Sequence, residues 1–386
     1  MTNHDPAPAI YDQLLHLSEQ GQKSDALEAL IQYVDQAGQY HELFEALKMK
    51  LRWDLGLPAA QVEPETPLDE ETEIKLERGL IAACRRVGEA FFRAGKIREG
   101  WMYLRPVGDP KWIAEITSRV QVTDDNFDDL QQVLLHEGVD IRRGYQLSLE
   151  RLGTCNSITL FEQALASRPR SDQQVAAELL VRHVHRELLA NLRGDIQRRE
   201  GNSPVETTAE EILQARPDLL KGGSYHLDTS HLASTVRFAR VVNDPAVLRL
   251  ALDIAQYGRK LHPQYQYPGE EPFLDLYPAS IAFFRALLGQ QVDAGIRYFT
   301  QKADSVDQGH YGLLAVEVLI DLLSRCGRQA EAIAALEQRV PAGSRTLGIA
   351  PTLLQLSQRL GDYRPMQDLA KQRGDLLSYT AALMRS

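Results

Sequence analysis

The sequence belongs to an acidic chain with an ordinary balance of apolar and charged residues. Of its 386 residues, 44% are hydrophobic and 25% are charged, which is typical of a folded soluble protein. Lys and Arg number 43 against 53 Asp and Glu, so the formal net charge is −10. This charge disfavours a general nucleic-acid binder, because such proteins need a cationic surface.

The chain lacks the sequence signals of secretion and membrane insertion. The N-terminal residues 1–8 have neither a basic start nor an apolar run, as a secretory signal would. No stretch reaches the roughly 20 apolar residues that cross a bilayer. The three cysteines, Cys84, Cys155 and Cys326, are too widely spaced for a disulfide framework or a zinc knuckle. We therefore expect a cytoplasmic protein with no membrane partner.

A glycine step recurs along the chain between apolar helical stretches. In each case a second residue, usually a small one, lies five positions after the glycine. The pairs are Gly21 and Ala26, Gly95 and Gly100, Gly289 and Ala294, Gly327 and Ala332, and Gly361 and Met366. The glycine is suited to end one helix in a left-handed conformation, and a small residue lets the next helix pack closely. The steps from 289 to 327 and from 327 to 361 are 38 and 34 residues.

This spacing resembles the tetratricopeptide-repeat (TPR) family, whose repeat is a 34-residue helix-turn-helix. The pattern matches best in residues 86–100 and 323–332, and it covers about half of the chain, because the family's tryptophan, tyrosine and closing proline are mostly missing. The resemblance implies an all-α protein, a TPR-like α/α solenoid of stacked helical hairpins. TPR-like proteins commonly act as interaction scaffolds, so it also favours a protein or peptide partner.

The predicted organisation has six parts in chain order. They are an N-terminal TPR-like hairpin (1–57), an acidic, proline-containing loop (58–75), helical hairpins with a long middle helix (76–200), a connecting segment (201–224), TPR-like helices with long loops rich in His, Tyr and Pro (225–311), and C-terminal TPR-like pairs (312–386). The long middle helix is expected over 171–200. Two more are expected over 230–240 and 245–261, the second capped by Asn243 or Asp244.

The connections between successive hairpins contain an unusual set of side chains. They span 221–229, 262–278, 304–310 and 341–351. In a stacked array these connections emerge on one edge, and helix axes about 8–10 Å apart bring neighbouring loops into contact. Residues 225–311 contain 12 of the 27 aromatic residues, about twice the number that an even spread predicts. We call residues 222–311 the loop edge and expect a binding site there.

The leading hypothesis is that the concave face and the loop edge bind a peptide, a protein segment or a small molecule. Ser230, Ser234, Arg237 and Arg240 follow helical spacing and could present hydroxyl and guanidinium groups to an anion. A solvated arginine face is the alternative. The predicted ligand-binding residues are Tyr225, Ser230, Ser234, Arg237, Arg240, Tyr265, Tyr267, Tyr277, His310 and Tyr311.

The alternative hypothesis is a metal-dependent enzyme of hydrolase or lyase type. His226, Asp228, His231 and His262 are residue types that bind a divalent metal, which would be the cofactor. The candidate catalytic bases are Glu270, Glu271 and Asp275. A simpler interpretation is that Asp228 or Thr229 caps a helix while the histidines pack on tyrosines.

Basic residues also recur along the predicted middle helix. They are Arg182, His185, Arg186 and Arg193. This stripe could receive an acidic peptide or a nucleotide, but such stripes more often pair with neighbouring carboxylates.

Overall fold

The computed structural model describes residues 7–60, 67–269 and 272–385, and in these ranges it contains helices but no strand. The predicted all-α fold is confirmed. No helix in the described ranges is long and apolar enough to cross a bilayer. The chain divides into two compact units, Met1–Gly144 and Tyr145–Ser386, which are described separately below as unit 1 and unit 2. The boundary lies inside the predicted part 76–200.

Unit 1 is built from helices that pack on their neighbours in the chain. They are α1 (Ala7–Glu19), α2 (Lys23–Gln36), α3 (Tyr40–Asp54), α4 (Glu70–Arg93), α5 (Ile97–Leu104), α6 (Pro110–Ser118) and α7 (Phe127–Gln131). The pairs α1/α2, α2/α3, α3/α4 and α4/α5 are in contact. Apolar side chains between α2, α3 and α4, among them Ile31, Leu43 and Phe91, form a core.

The acidic loop predicted over 58–75 is shorter in the structure. Helix α4 begins at Glu70 because Asp69 caps it, with its carboxylate accepting a hydrogen bond from the N–H of Thr72. Residues 70–75 are therefore helical, and residues 61–66 lie outside the described ranges.

Unit 2 contains most of α8 and all later helices. They are α8 (Ile141–Leu160), α9 (Arg170–Glu200), α10 (Ala209–Ala215), α11 (Thr229–Phe238), α12 (Pro245–Lys260), α13 (Leu276–Leu287), α14 (Val292–Ser305), α15 (Gln308–Tyr311), α16 (Leu314–Arg325), α17 (Gln329–Arg339), α18 (Leu353–Leu360), α19 (Arg364–Arg373) and α20 (Leu376–Leu383). Successive helices again pack on one another, as in α12/α13, α13/α14 and α16/α17. The connecting segment predicted over 201–224 contains α10, so it is not wholly a linker.

The glycine turns have the predicted conformation. Each of the five glycines lies between two helices with φ between 74° and 79°; they are Gly21, Gly95, Gly289, Gly327 and Gly361. The close approach at the second position is clearest at Gly100. A Cβ there would collide with the ring of Phe92 and would lie 3.0 Å from the carbonyl oxygen of Gly88. A larger residue at position 100 would therefore push α4 and α5 apart.

The predicted helix limits agree closely with those observed in unit 2. The long middle helix, α9, runs from Arg170 to Glu200 and ends at Gly201, whose φ is 78°. Helix α12 begins at Pro245, and the Asp244 carboxylate caps it by accepting a hydrogen bond from the N–H of Ala246 at 2.8 Å. Proline at the first helical position and an aspartate cap are the expected start signals.

Candidate functional site

Unit 2 contains a cavity of about 810 Å³ that we call the arginine cavity. Its walls come from the turn before α9, the end of α11, the start of α13, one face of α16 and the loop before α18. The cationic lining residues are Arg168, Arg170, Arg237 and Arg240, and the apolar ones include Phe273, Leu276, Phe283, Leu314 and Val318. The volume lies within the range of about 300–1,000 Å³ that is usual for small-molecule sites.

The apolar wall is rigid because its aromatic side chains belong to the core. Phe273 and Phe283 are 2% and 1% exposed. Both rings contact Phe299, each with its centroid 5.6 Å away. The guanidinium of Arg240 lies 4.8 Å from the centre of the Phe273 ring, a cation–π arrangement. Charged and aromatic lining groups thus meet at this point of the cavity.

Two other arginines of the cavity pair with carboxylates, and one of these pairs is exposed. Arg237 donates to Glu162 at 2.6 Å, and Arg168 donates to Asp172 at 2.9 Å. The side chains of Arg237 and Glu162 are 36% and 49% exposed. Exposed ion pairs contribute only about 0–1 kcal/mol. An anionic ligand can therefore replace Glu162 beside Arg237 at little cost.

A buried ionic network supports the same wall. Asp321, 4% exposed, accepts hydrogen bonds from Arg170 at 2.8 Å and from Arg325 at 3.2 Å. Arg325 also donates to the carbonyl oxygens of Arg240 and Val242. Burial lowers the pKa of Arg325, and Asp321 opposes this effect. The network fixes the turn after α11, from which the side chain of Arg240 projects.

The loop before α18 forms the remaining wall and is held from two sides. The buried carboxylate of Glu317 accepts hydrogen bonds from the N–H groups of Leu347, Ile349 and Ala350, at 2.5, 2.9 and 3.3 Å. Arg170 donates to the carbonyl oxygen of Ile349. Leu347 lines the cavity but remains 61% exposed, so it presents apolar surface there.

The structure brings two of the predicted ligand-binding residues into the arginine cavity, namely Arg237 and Arg240. Ser234 lies beside Arg237, with its hydroxyl oxygen 3.4 Å from the guanidinium. Ser230 does not take part, because its hydroxyl donates to Asp228 at 2.6 Å next to the start of α11.

The predicted tyrosines lie in different places. The rings of Tyr225 and Tyr265 are 5.1 Å apart, so the first two connecting loops are in contact. Tyr267 is half exposed. Tyr277 is 1% exposed and packs against Gly258 in the core, where it does not face solvent. Tyr277 is therefore not part of a ligand-binding surface, contrary to the prediction.

His310 and Tyr311 form a local pair on α15, with ring centroids 4.5 Å apart. Neither residue lines the arginine cavity. The adjacent concavity instead joins the third and fourth connecting loops, through Asp307 and Gln308 on one side and Pro341 on the other.

The residues predicted as metal ligands are engaged in other contacts. Nδ1 of His226 lies 3.0 Å from the hydroxyl of Tyr257, and its Nε2 lies 3.2 Å from Asp195. The Asp228 carboxylate caps α11 by accepting from the N–H of Ser230 at 2.8 Å. His226, Asp228 and His231 border one open depression, which does not include His262.

Across the described ranges, no three His, Cys, Asp or Glu side chains are grouped to hold a metal ion. The capping role of Asp228 and the packing of His226 and His262 on Tyr257 and Tyr265 agree with the simpler interpretation of these residues.

Among the candidate catalytic carboxylates, Asp275 is engaged in other contacts. Asp275 accepts a hydrogen bond from the hydroxyl of Tyr298 at 2.5 Å and pairs with Lys302 at 3.3 Å. Burial, followed by the contact with Asp275, raises the pKa of Tyr298. Glu270 and Glu271 lie outside the described residues.

Sequence reasoning missed half of the arginine cavity. Arg168 and Arg170 flank Pro169 in the turn before α9, and a pair of arginines around a proline was the available signal. Asp321 and residues 347–349 complete the wall. The loop over 341–351 was predicted to lie on the edge, but none of its side chains stands out chemically.

Comparison with known proteins adds little to this description. No protein-family model matches the chain, and no curated protein matches it. One solved structure that aligns with it is a circular tandem repeat protein with novel repeat topology and enhanced subunit contact surfaces. The alignment has 14% identity and a TM-score of 0.15, and it covers 97% of this chain and 74% of that one. Because this TM-score is so low, the alignment carries no argument about function.

Proposed function

We propose that unit 2 is the binding module of a TPR-like helical scaffold, and that the arginine cavity is its binding site. The ligand is a peptide segment or small molecule that combines an anionic group with an apolar part. One observation carries this proposal: four arginines and a wall of core aromatic residues line the same cavity.

The two kinds of lining residue have separate tasks. A guanidinium binds carboxylate or phosphate through two parallel hydrogen bonds, which gives orientation as well as affinity. Arg240 follows Arg237 by three residues, so the two side chains lie on the same helical face. Both can therefore approach a single ligand. The apolar part lies against the exposed side chain of Leu347 and the partly exposed one of Leu314, at about 25 cal/mol for each Å² removed from water.

Among ligands with an anionic group and an apolar part, the TPR-like repeat pattern favours a protein or peptide, because helical repeat scaffolds offer extended surfaces to protein segments. The net charge of −10 argues against nucleic acid. Arg237 and Arg240 would then hold an acidic side chain or the terminal carboxylate of the peptide, while a neighbouring apolar side chain enters the cavity.

The proposal can be tested with 8-anilinonaphthalene-1-sulfonate, a fluorescent probe with one anionic group and an apolar ring system. We expect saturable binding to the native protein, and at least tenfold weaker binding to the Arg237→Gln/Arg240→Gln double variant. Tenfold corresponds to about 1.4 kcal/mol, which is modest for two charge-assisted contacts. The neutral probe N-phenyl-1-naphthylamine should bind both proteins equally.

The control is Arg249→Gln, which removes an exposed arginine of α12 that does not line the cavity. It should leave binding of the sulfonate probe unchanged. Equal affinity of the native protein and the double variant for that probe would show that the two arginines do not bind anions, and would rule out the proposed site.

A further inference from the structure

Helix α9 contains a glycine that has no packing role. Glycine inside a helix costs about 1 kcal/mol relative to alanine. Six other glycines inside helices avoid a collision, because a Cβ would lie closer than 3.0 Å to a neighbouring atom; they are Gly79, Gly88, Gly100, Gly144, Gly258 and Gly295. A Cβ on Gly194 would meet nothing within 4 Å. The packing of α9 therefore does not require glycine at position 194.

The open space beside Gly194 belongs to a second cavity of about 490 Å³, which we call the glycine cavity. It lies between α9 and residues 223–226 and is separate from the arginine cavity. Its polar lining residues are Asn191, Asp195, Arg198, Arg199, Ser224, Tyr225 and His226. Positions 191, 194 and 198 lie on one face of α9, so the bare backbone of Gly194 lies between an amide and a guanidinium.

The walls of the glycine cavity are held by hydrogen bonds. Asn191 donates to the carbonyl oxygen of His226 at 2.7 Å. The N–H of His226 donates to the hydroxyl of Tyr257 at 2.9 Å, and its ring lies between Tyr257 and Asp195. The His226 side chain is only 5% exposed. The segment facing α9 is therefore fixed before any ligand arrives.

Two arginines and one aspartate give the cavity a net positive charge. Arg199 pairs with Asp195 at 2.8 Å, whereas Arg198 approaches it only to 3.4 Å and is 76% exposed. Burial would raise the pKa of Asp195, but hydrogen bonds from His226 and Arg199 lower it overall. Asp195 keeps these two partners if Arg198 turns to a ligand.

The loop that faces α9 offers glycine backbone and an aromatic surface. Gly222 and Gly223 both have positive φ, 73° and 79°, and a Cβ on Gly223 would lie 3.2 Å from the ring of Tyr265. Backbone of this kind can approach a ligand closely. The Ser224 hydroxyl lines the cavity but donates to the carbonyl oxygen of Lys221 at 3.3 Å, and Tyr225 is 51% exposed beside it.

The macrodipole of α9 does not repel an anion placed beside Gly194. The negative end of a helix macrodipole acts mainly within the last turn. Gly194 is six residues before the end of α9 at Glu200, whereas Arg198 and Arg199 lie in the last turn and offset it.

We infer that the glycine cavity binds the oxyanion group, phosphoryl or carboxylate, of a small cyclic molecule. The oxyanion lies against the backbone of Gly194, with Arg198 as its cation and Asn191 as a donor through its second amide hydrogen. The ring of the ligand stacks on Tyr225. This site goes beyond the binding function proposed above and does not depend on it.

The experiment measures calorimetric binding of phenyl phosphate, benzoate and phenol to the Arg237→Gln/Arg240→Gln protein, in which the arginine cavity is disabled. We expect both anions to bind and neutral phenol to bind at least tenfold more weakly. Tighter binding of phenyl phosphate would identify the phosphoryl group as the preferred oxyanion, and tighter binding of benzoate the carboxylate.

Adding Gly194→Leu fills the space with a side chain that favours helix, so the protein should fold and its unfolding temperature should not fall. Binding of the anions should weaken at least tenfold, and Arg198→Gln should weaken it similarly. Arg193→Gln, an exposed change on the same helix outside the cavity, should have no effect. Undetectable binding of both anions, or affinities unchanged by Gly194→Leu, would overturn the inference.

Discussion

Nε2 of His185 lies 2.8 Å from Oδ2 of Asp253 in the interior of unit 2. The same carboxylate accepts hydrogen bonds from the N–H groups of Ala209 and Glu210, at 2.7 and 2.8 Å. His185 stands on α9, Asp253 on α12, and the two N–H groups at the start of α10. One carboxylate therefore joins three helices and satisfies N–H groups that a helix start leaves without an intrahelical partner.

Replacing Asp253 by alanine should destabilise unit 2 by about 3–5 kcal/mol, because an imidazole and two N–H groups would remain buried without their acceptor. Asp253→Asn should cost less, since its amide oxygen can still accept from one side. Urea unfolding followed by far-UV circular dichroism measures both changes. Asp218→Ala, at an exposed carboxylate, is the matched control and should change the free energy of unfolding by less than about 0.5 kcal/mol.

Glu317→Gln should loosen the loop that closes the arginine cavity. The carboxylate is 1% exposed and accepts three backbone N–H groups, at Leu347, Ile349 and Ala350. An amide has one acceptor oxygen and turns a donor toward these donors, so we expect a loss of about 1–3 kcal/mol. Hydrogen exchange should become faster at residues 347, 349 and 350.

The control for this change is Glu337→Gln, at an exposed carboxylate of α17. It should leave exchange at the loop unchanged. Unaltered exchange in Glu317→Gln would mean that the loop is held by Arg170 and its own backbone, and that the carboxylate contributes little.

The helical scaffold could be predicted because its determinants are local. A glycine such as Gly327 sets the end of one helix by its own backbone, and the apolar pattern on either side needs no distant partner. Helix α12 was predictable for the same reason, since Asp244 and Pro245 provide the start signals. Helix α10 was missed although Thr208 and Glu211 form a capping box at its start; its other support, Asp253, is more than 40 residues away in the sequence.

The candidate sites depend on distant contacts, which spacing alone does not predict. Arg237 and Arg240 follow one helical face and were identified, but Asp321 reaches the same wall from another hairpin. His226 and Asp228 have spacing that suits a metal, yet His226 is engaged by Asp195 and Tyr257, each 31 residues away. Competition from such partners decides which side chains remain available to a ligand.

The burial of His226 should make stability depend on pH. Burial lowers the pKa of His226, and Asp195 opposes this only in part. The unfolded chain therefore takes up a proton here at higher pH than the folded protein does. The resulting stability is complete above the ordinary histidine pKa of about 6.5 and is lost as the pH falls through that value toward the folded pKa.

We expect the free energy of unfolding to fall more between pH 7.5 and pH 5.5 in the native protein than in His226→Gln, which cannot titrate. Asp195 does not interfere, because its lowered pKa places its effect below about pH 4. His16→Gln, at an exposed histidine of α1, should keep the native pH dependence. Equal slopes for native protein and His226→Gln would contradict the burial argument.

Two glycine-to-alanine changes in unit 2 should have opposite effects on stability. A Cβ on Gly258 would lie 2.2 Å from the ring of Tyr277, whose side chain is buried and cannot swing into solvent. Gly258→Ala should therefore force α12 and α13 apart and cost about 1–3 kcal/mol. Gly194→Ala meets no neighbour and should instead stabilise α9, by about 0.5–1 kcal/mol. Urea unfolding of the two variants under the same conditions measures both changes in the free energy of unfolding. A stable Gly258→Ala protein would require Tyr277 to repack, which a crystal structure of the variant would show.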